Sequence, residues 1–433
     1  MSLPRYPNYK DSGVEWLGEV PGHWEVISIK WLSPVRRGAS PRPIDDPKYF
    51  DEEGEFSWVR IADVSACDGV LNETTQRLSA LGSSLSVKMA PGELFVSIAG
   101  TVGKPCISAI KACIHDGFVY FPMLQINPVF LYRVFEGGTC YGGLGKWGTQ
   151  LNLNTDTIGS IRVALPPPEE LNQVLAFLDR ETAKIDELVA EQRQLMALLQ
   201  EKRQAVISHA VTRGLNPHAP LKPSGIEWLG EVPEHWDVLK GSLIGTLFGS
   251  EQVPEESVTD EGDLPFIKVG SMSSDSFEIE SWNWFVDTTV ASRYKPRSGF
   301  IVFPKRGAAI FNNKVNVVDR PALIDPNLMG WEIGERAVTA FIAYALKARK
   351  IDELADVSTV PQINNKHIGP ERFPVPPLPE QRPIVDFLGA ELAKLDTLTT
   401  EAQRAIDLLQ ERRTALISAA VTGQTDVRST VAA

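Results

Sequence analysis

Ser12-Gly-Val-Glu-Trp-Leu-Gly-Glu-Val-Pro-Gly-His-Trp-Glu-Val26 returns later in the chain as Ser224-Gly-Ile-Glu-Trp-Leu-Gly-Glu-Val-Pro-Glu-His-Trp-Asp-Val238. Twelve of the fifteen positions are identical, at an offset of 212. Further matches follow at an offset of 210. Ala183-Lys-Ile-Asp186 pairs with Ala393-Lys-Leu-Asp396, Leu198-Leu-Gln-Glu-Lys-Arg203 with Leu408-Leu-Gln-Glu-Arg-Arg413, and Val206-Ile-Ser-His-Ala-Val-Thr212 with Leu416-Ile-Ser-Ala-Ala-Val-Thr422. A duplication of such long period means two equivalent structural units. The stretches between the shared pieces barely resemble each other. Kept connectors with divergent contents suit one frame that holds two different readers.

Each unit opens on the Trp-rich repeat and closes on a long helix. After Pro166-Pro-Pro168, Glu169 and Glu170 load the first turn with negative charge, and no Pro or Gly follows up to Arg213. Gly214 and Pro217 then stop the helix. Ile185, Leu188, Gln192, Leu195, Leu199, Lys202 and Val206 recur in alternating three- and four-residue steps, as in a coiled-coil seam. The second copy begins after Pro376-Pro-Leu-Pro379 and ends at Gly423. Its seam is Leu395, Leu398, Ala402, Ala405, Leu409, Arg412 and Leu416. Each helix should cover about 40 residues, on the order of 60 Å. The two seams can cover each other, or each helix can pack on the core of its own unit; the length and step favour the first.

The divergent regions read as mixed α/β. Phe56–Ala62 and Leu264–Gly270 are matched strands, as are Gly92–Ile98 and Gly299–Phe303, and Phe341–Lys347 is a helix. The expected fold class is α+β, with two mixed α/β domains joined by two long antiparallel coiled-coil helices and a pseudo-twofold repeat. The boundaries are 1–164 for the first domain, 165–213 for the first helix, 214–375 for the second repeat and domain, 376–422 for the second helix and 423–433 for a flexible tail.

Net charge is -12 over 433 residues, which disfavours a freestanding nucleic-acid binder, since phosphates attract Lys and Arg. The acid is unevenly spread. Residues 27–164 hold 13 basic and 13 acidic side chains, and residues 239–375 hold 15 and 18. Any phosphate attraction must come from local patches or partner subunits. The absence of a long apolar run or signal-peptide core predicts a cytoplasmic protein. Cys67, Cys106, Cys113 and Cys140 fit no zinc spacing and read as reduced, mostly buried thiols. The histidines show no paired ligand spacing, so no metal is expected.

No catalytic constellation is expected. Gly100-Thr-Val-Gly-Lys104 has Ile98 and Pro105 where a phosphate loop needs Gly and Ser/Thr. Asp46-Pro-Lys48 is the nearest approach to a nuclease acid–lysine pair. The basic candidates are Arg36, Arg37 and Arg42 in one Gly/Pro-rich loop, and Lys305, Arg306, Asn312, Asn313 and Lys314 in the second region. Arg60 and Lys268 near the matched strand ends, and Thr101 and Lys104, complete the set of expected DNA contacts. Arg and Lys pair with guanine edges and Asn with adenine. Gln150-Leu-Asn152 and Gln362-Ile-Asn364 are expected to cap backbone at the turn before each helix. His23 beside Trp24, and His235 beside Trp236, read as a clasp against the helices.

Taken together, these pieces resemble the DNA-specificity subunit of type I restriction–modification systems over essentially the whole chain. The resemblance rests on the doubled Trp-rich repeat, on Pro166-Pro-Pro-Glu-Glu170 and Pro376-Pro-Leu-Pro-Glu-Gln381 at the helix starts, and on Gly92-Glu-Leu-Phe-Val-Ser-Ile-Ala-Gly-Thr-Val-Gly-Lys104. It implies two target-recognition domains, each reading half of a split, asymmetric double-stranded DNA site. It implies helices that fix the spacing and dock adenine-methyltransferase subunits, in part through Ile185, Leu188, Leu195, Leu199, Val206, Leu395, Leu398, Leu409 and Leu416. The chain itself would carry no cofactor; S-adenosylmethionine would sit in the partner methyltransferase, and a translocating restriction subunit could join. The rival is a non-catalytic coiled-coil scaffold whose two domains bind protein or carbohydrate.

Overall fold

A computed structural model describes residues 4–142, 144, 153–356 and 360–428. The chain divides into two compact units, Met1–Arg193 with Gln403–Ala433, and Gln194–Ala402. Both boundaries fall inside the long helices, Pro168–Arg213 and Leu378–Val421. Each unit is therefore one α/β head, the start of the helix that follows it and the end of the other helix. At 1.5 Å per residue the 46- and 44-residue helices are about 69 and 66 Å long.

In the first unit a five-stranded sheet runs Arg36–Arg37, Phe118–Tyr120, Leu94–Ser97, Pro105–Ser108, Val70–Leu71. A four-stranded sheet runs Gln76–Leu78, Phe56–Val59, Ala112–Ile114, Val87–Met89. The second unit repeats this plan with one strand fewer in its first sheet: Gly245–Phe248, Leu328–Ile333, Phe300–Pro304, Asn316–Val318. Its second sheet runs Val258–Thr259, Phe285–Val286, Leu264–Ile267, Leu323–Ile324. The expected strands at 56–62 and 264–270 stop early, at Val59 and Ile267. Arg60 and Lys268 then head short helices, Ile61–Ala66 and Val269–Ser271. Phe341–Lys347 lies in the helix Thr339–Arg349, buried on every side from Phe341 to Lys347.

The Trp-rich repeats fold alike. Tyr9–Asp11 pairs with Glu19–Pro21, and Leu221–Pro223 with Glu231–Pro233, as two short antiparallel hairpins. Trp24 and Trp236 are fully buried. Their indole N–H groups donate to Glu170 (3.0 Å) and Glu380 (3.1 Å), carboxylates in the first turn of each long helix. His23 and His235 each meet the other oxygen of the same carboxylate at 2.8 Å. The expected clasp is present twice. In the first unit Tyr6 also donates to Glu170, at 2.5 Å. Burial alone would raise the Glu170 carboxyl, but the Tyr6, His23 and Trp24 hydrogen bonds hold it below its ordinary value. The far end of the opposite helix closes onto the same tryptophan. Gly214 and Gly423 end the helices at φ +72° and +71°, and a Cβ there would lie 3.0 Å from Trp236 and 3.1 Å from Trp24. Glycine is needed at both for its left-handed backbone and for the close approach.

Inside each unit the two helices pack on each other and on the head. Leu171, Val174 and Leu178 share a core with Phe130, Phe135, Ile417 and Val421. Leu199, Ile207 and Val211 share one with Phe341, Ile384, Leu388 and Leu395. Arg413 meets Asp186 at 2.8 Å in the first unit, and Arg203 meets Asp396 in the second. Inside the first unit the helix segments run antiparallel, with Leu171–Leu178 in one core with Ile417 and Val421 and Asp186, further along, meeting Arg413. The two ion pairs are the same contact related by the 210-residue offset.

The seam differs in phase from the sequence expectation. Thr182, Ile185, Val189 and Leu199 are buried on the first helix, and Leu392, Leu395, Ala402 and Ile406 on the second. Ile185, Leu199 and Leu395 point inward as expected, and Val206, Leu409 and Leu416 are half-buried. Leu188, Leu195 and Leu398 do not belong to the seam: they are 44%, 41% and 46% exposed. The residues one step later, Val189, Met196 and Thr399, turn inward instead. Both phases keep the mean 3.5-residue step, and the larger leucines favour the wrong one by apolarity alone. Lys202 and Arg412 are likewise exposed, whereas Arg203 and Arg413 turn inward to reach their carboxylates.

The second helix starts at Leu378, within the expected 376–422, and takes in Pro379 and Pro383. Buried Gln381 anchors this start, accepting from Val338 N at 2.6 Å and donating to Pro376 O at 2.7 Å. Cys106, Cys113 and Cys140 are buried thiols and Cys67 is half-buried. No helix among the described residues is long and apolar enough to cross a membrane.

Candidate nucleic-acid interface

The first head gathers several of the expected cations at one place. Arg36 and Arg37 form an exposed edge strand paired with Phe118–Tyr120. The turn before that partner strand carries His115 and Asp116. Asp116 accepts from Arg42 at 2.9 Å and from Ser40 at 3.0 Å, while Arg37 bonds its backbone carbonyl. Burial works to raise the Asp116 carboxyl, yet the Ser40 hydroxyl and the Arg42 and Arg37 guanidiniums hold it low. Burial pushes the His115 imidazole down, and the nearby Arg37 and Arg60 add to this against Asp116. The edge strand, the loop and Arg60 thus converge on one turn, although 24 residues separate Arg36 from Arg60. Arg42 remains 70% exposed, so its pair with Asp116 is weak and open to competition from a phosphate.

At the other end of the short helix Ile61–Ala66, Thr101 bonds the Ser65 hydroxyl at 2.7 Å and stays exposed. Lys104 reaches the same helix end. Its ammonium donates to Ser65 O (3.0 Å) and Cys67 O (2.8 Å), carbonyls left unpaired at that helix's end. Lys314, at the 210-residue offset, does the same in the second head, donating to Met272 O at 2.6 Å. Both lysines tie down a helix end.

Asn313 is held inside the second head. Its side-chain N–H donates to Lys347 O (2.9 Å) and its oxygen accepts from Ile351 N (3.1 Å), so both ends of the amide are used inside the head. The residue sits at φ +46°, a left-handed position that Asn tolerates. Asn312 is exposed, and so is Arg306; Lys305 is half-buried. The Lys268 ammonium lies 3.7 Å over the Trp284 ring, a cation–π contact. Asn364 caps the turn that follows it, accepting from Lys366 N at 2.9 Å. Its structural equivalent is Asn154, with the same φ -142° and ψ 179°. Gln150 and Asn152, matched to Gln362 and Asn364 in sequence, lie outside the described residues.

Asp46 and Lys48 are consumed by each other. They form a 2.7 Å ion pair in a turn that Asp46 caps, which lowers the acid and raises the amine. Among the described residues, no group of three or more His, Cys, Asp or Glu side chains gathers as a metal site. The paired Asp186–Arg413 and Asp396–Arg203 contacts were missed by the sequence reading. The signal was present: all four residues lie in the quoted repeats, with the same charge at the same offset.

Residues 233–407 match the family described as type I restriction modification DNA specificity domain. The chain is 21% identical to the EcoDI type I restriction enzyme specificity subunit of Escherichia coli, over 94% of this chain and 90% of that one. It is 20% identical to the MjaIX specificity subunit of Methanocaldococcus jannaschii, over 94% and 95%. A chain solved in work on complex assembly and conformational transition of the type I restriction–modification system has the same fold. Its TM-score is 0.71 at 16% identity, covering 93% of this chain and 98% of that one. Residues 233–407 are thus similar to the type I DNA-specificity domain, and nearly the whole chain is similar to type I specificity subunits. The scaffold alternative is not favoured.

Proposed function

We propose that this chain is the sequence-reading and assembly subunit of a type I restriction–modification complex. Each head reads one half of a bipartite DNA site. The observation that carries the reading is the duplicated frame: clasp, helix start, ion pair and helix-ending glycine recur at fixed offsets, while the heads between them differ. Two unlike heads read a site without palindromic symmetry, because site symmetry mirrors protein symmetry. The exposed cations Arg36, Arg37, Arg42 and Arg60 serve the first half-site, with Thr101 beside them. Lys268, Lys305, Arg306 and Asn312 serve the second.

The chain performs no covalent chemistry in this account. Adenine-methyltransferase subunits bring S-adenosylmethionine and take the target base out of the stack; a translocating restriction subunit joins the same assembly. Exposed leucines suggest where the partners dock. Leu188 and Leu398 match at the 210-residue offset, as do Leu198 and Leu408, and all four are at least 44% exposed. Leu195 extends the first patch. The helices set the gap between half-sites.

The test is reconstitution. Purified chain alone should leave DNA unmethylated, and with its methyltransferase subunits it should direct adenine methylation to one bipartite sequence. Methylation without sequence preference would refute the proposal.

A further inference from the structure

Three cations of the second head face one cavity of about 420 Å³ that no carboxylate lines. Lys305 and Arg306 come from the turn after the strand Phe300–Pro304. Lys366 comes from the far side of an isolated bridge that joins Arg306 to Gln362. Gln362, Asn364 and Asn365 add amides to the wall, and Gly249 leaves room above the Lys305 ammonium.

None of the three cations forms an ion pair among the described residues. Acids on the adjoining segments are engaged elsewhere, and Glu371 meets Arg349 at 3.1 Å. Asp356 meets His367 at 3.2 Å, and Asp325 accepts from Asn327 N at 2.7 Å and from its side chain at 2.8 Å. Crowding like charges without a counter-charge disfavours the folded state. It is the more notable in a chain of net charge -12. A local excess of Lys and Arg of this kind is what an anion stabilises on binding.

We propose that this pocket grips a backbone phosphate of the DNA half-site read by the second head. The inference rests on the DNA-recognition reading above and goes one step further: it assigns Lys366, which the sequence did not single out, and gives Lys305 a positioning role. Lys is a compact point charge suited to phosphate, and phosphate contacts set register without reading bases. Gln362 and Asn365 offer N–H donors to the remaining phosphate oxygens. The Asn364 side chain caps its own turn and stays out of the contact.

The test uses the full chain assembled with its methyltransferase subunits. Binding to cognate DNA is measured from low to moderate salt for wild type, Lys366→Ala, Lys305→Ala with Lys366→Ala, and Lys366→Arg. One phosphate contact contributes about 0.9 to the slope of log affinity against log salt, so the slope should flatten by up to about one in the double alanine variant and by less in Lys366→Ala. Lys366→Arg should keep it, and the methylated sequence should be unchanged in all four. An unchanged slope and affinity in both alanine variants would overturn the pocket while leaving DNA recognition intact. A change in the methylated bases would overturn it as well, by making the pocket a base reader. Failure of the wild-type complex to prefer any bipartite site would instead sink the reading beneath it.

Discussion

Glu170 and Glu380 occupy equivalent places, yet removing them should not have equal consequences. Glu170 is 6% exposed and takes three side chains: Tyr6, His23 and Trp24. Its counterpart takes two, and His235 is half exposed. Glu170→Ala leaves the Tyr6 hydroxyl and the Trp24 indole N–H buried without an acceptor. Each such orphan costs roughly 1–3 kcal/mol, so the loss should be about 3 kcal/mol. In a unit of roughly 200 residues this lowers the melting temperature by about 6–12 °C. Glu380→Ala orphans one buried donor, Trp236, and should cost about half as much.

The pH dependence has a definite sign. The Glu170 carboxyl is held below its ordinary value in the fold, so the stability it supplies is complete above the unfolded-state value of a glutamate. It disappears as the pH falls below about 4.3 and through the folded value. Glu170→Gln should remove that acid-side loss from the first unit. The assay is thermal and denaturant unfolding followed by calorimetry and tryptophan fluorescence at pH 7 and across pH 3–6 (roughly the glutamate range). Equal destabilisation by the two alanine variants would refute the reasoning, because the third donor would then be contributing nothing.

The corrected seam separates stability from assembly. Leu188→Ser and Leu398→Ser should change the melting point little, within about 0.5 kcal/mol, and should weaken capture of the methyltransferase subunits in pull-down. Leu199→Ala and Leu395→Ala should each cost about 2–5 kcal/mol of stability, read by the same unfolding assay. Arg413→Ala leaves Glu136, itself tied to Arg133 and Tyr132, short of a counter-charge; a loss of about 2–3 kcal/mol is expected, with Arg413→Lys restoring part of it. Asn313→Ala should lower the stability of the second unit by about 1–2 kcal/mol while the methylated sequence stays the same.

Much of the fold was legible because the duplication repeats its own connectors. The Trp–His clasp sits in the quoted repeats, Gly214 and Gly423 lie just past them, and each does in space what its chemistry suggested. The paired strands around Trp58 and Phe266 were visible as apolar runs. The seam phase was not, because hydrophobicity ranks Leu188 above Val189 and cannot see that Arg203 and Arg413 turn inward toward carboxylates on the other helix. The roles of Lys104, Lys314 and Asn313 were hidden for a related reason. A basic or amide side chain looks the same in sequence whether it faces solvent or ties off a helix end. Lys366 passed unnoticed because its cationic neighbours, Lys305 and Arg306, are about sixty residues away in the chain and meet it only through strand pairing.

We propose that the helix pair sets the distance between the two reading heads. This proposal is tested most directly by inserting one heptad into both helices at matched positions and sequencing the methylation left by the assembled complex. Seven residues add about 10 Å, near three base pairs of duplex. The account predicts the same two half-site sequences with a spacer longer by about three base pairs; an unchanged spacer, or altered half-sites, would contradict it.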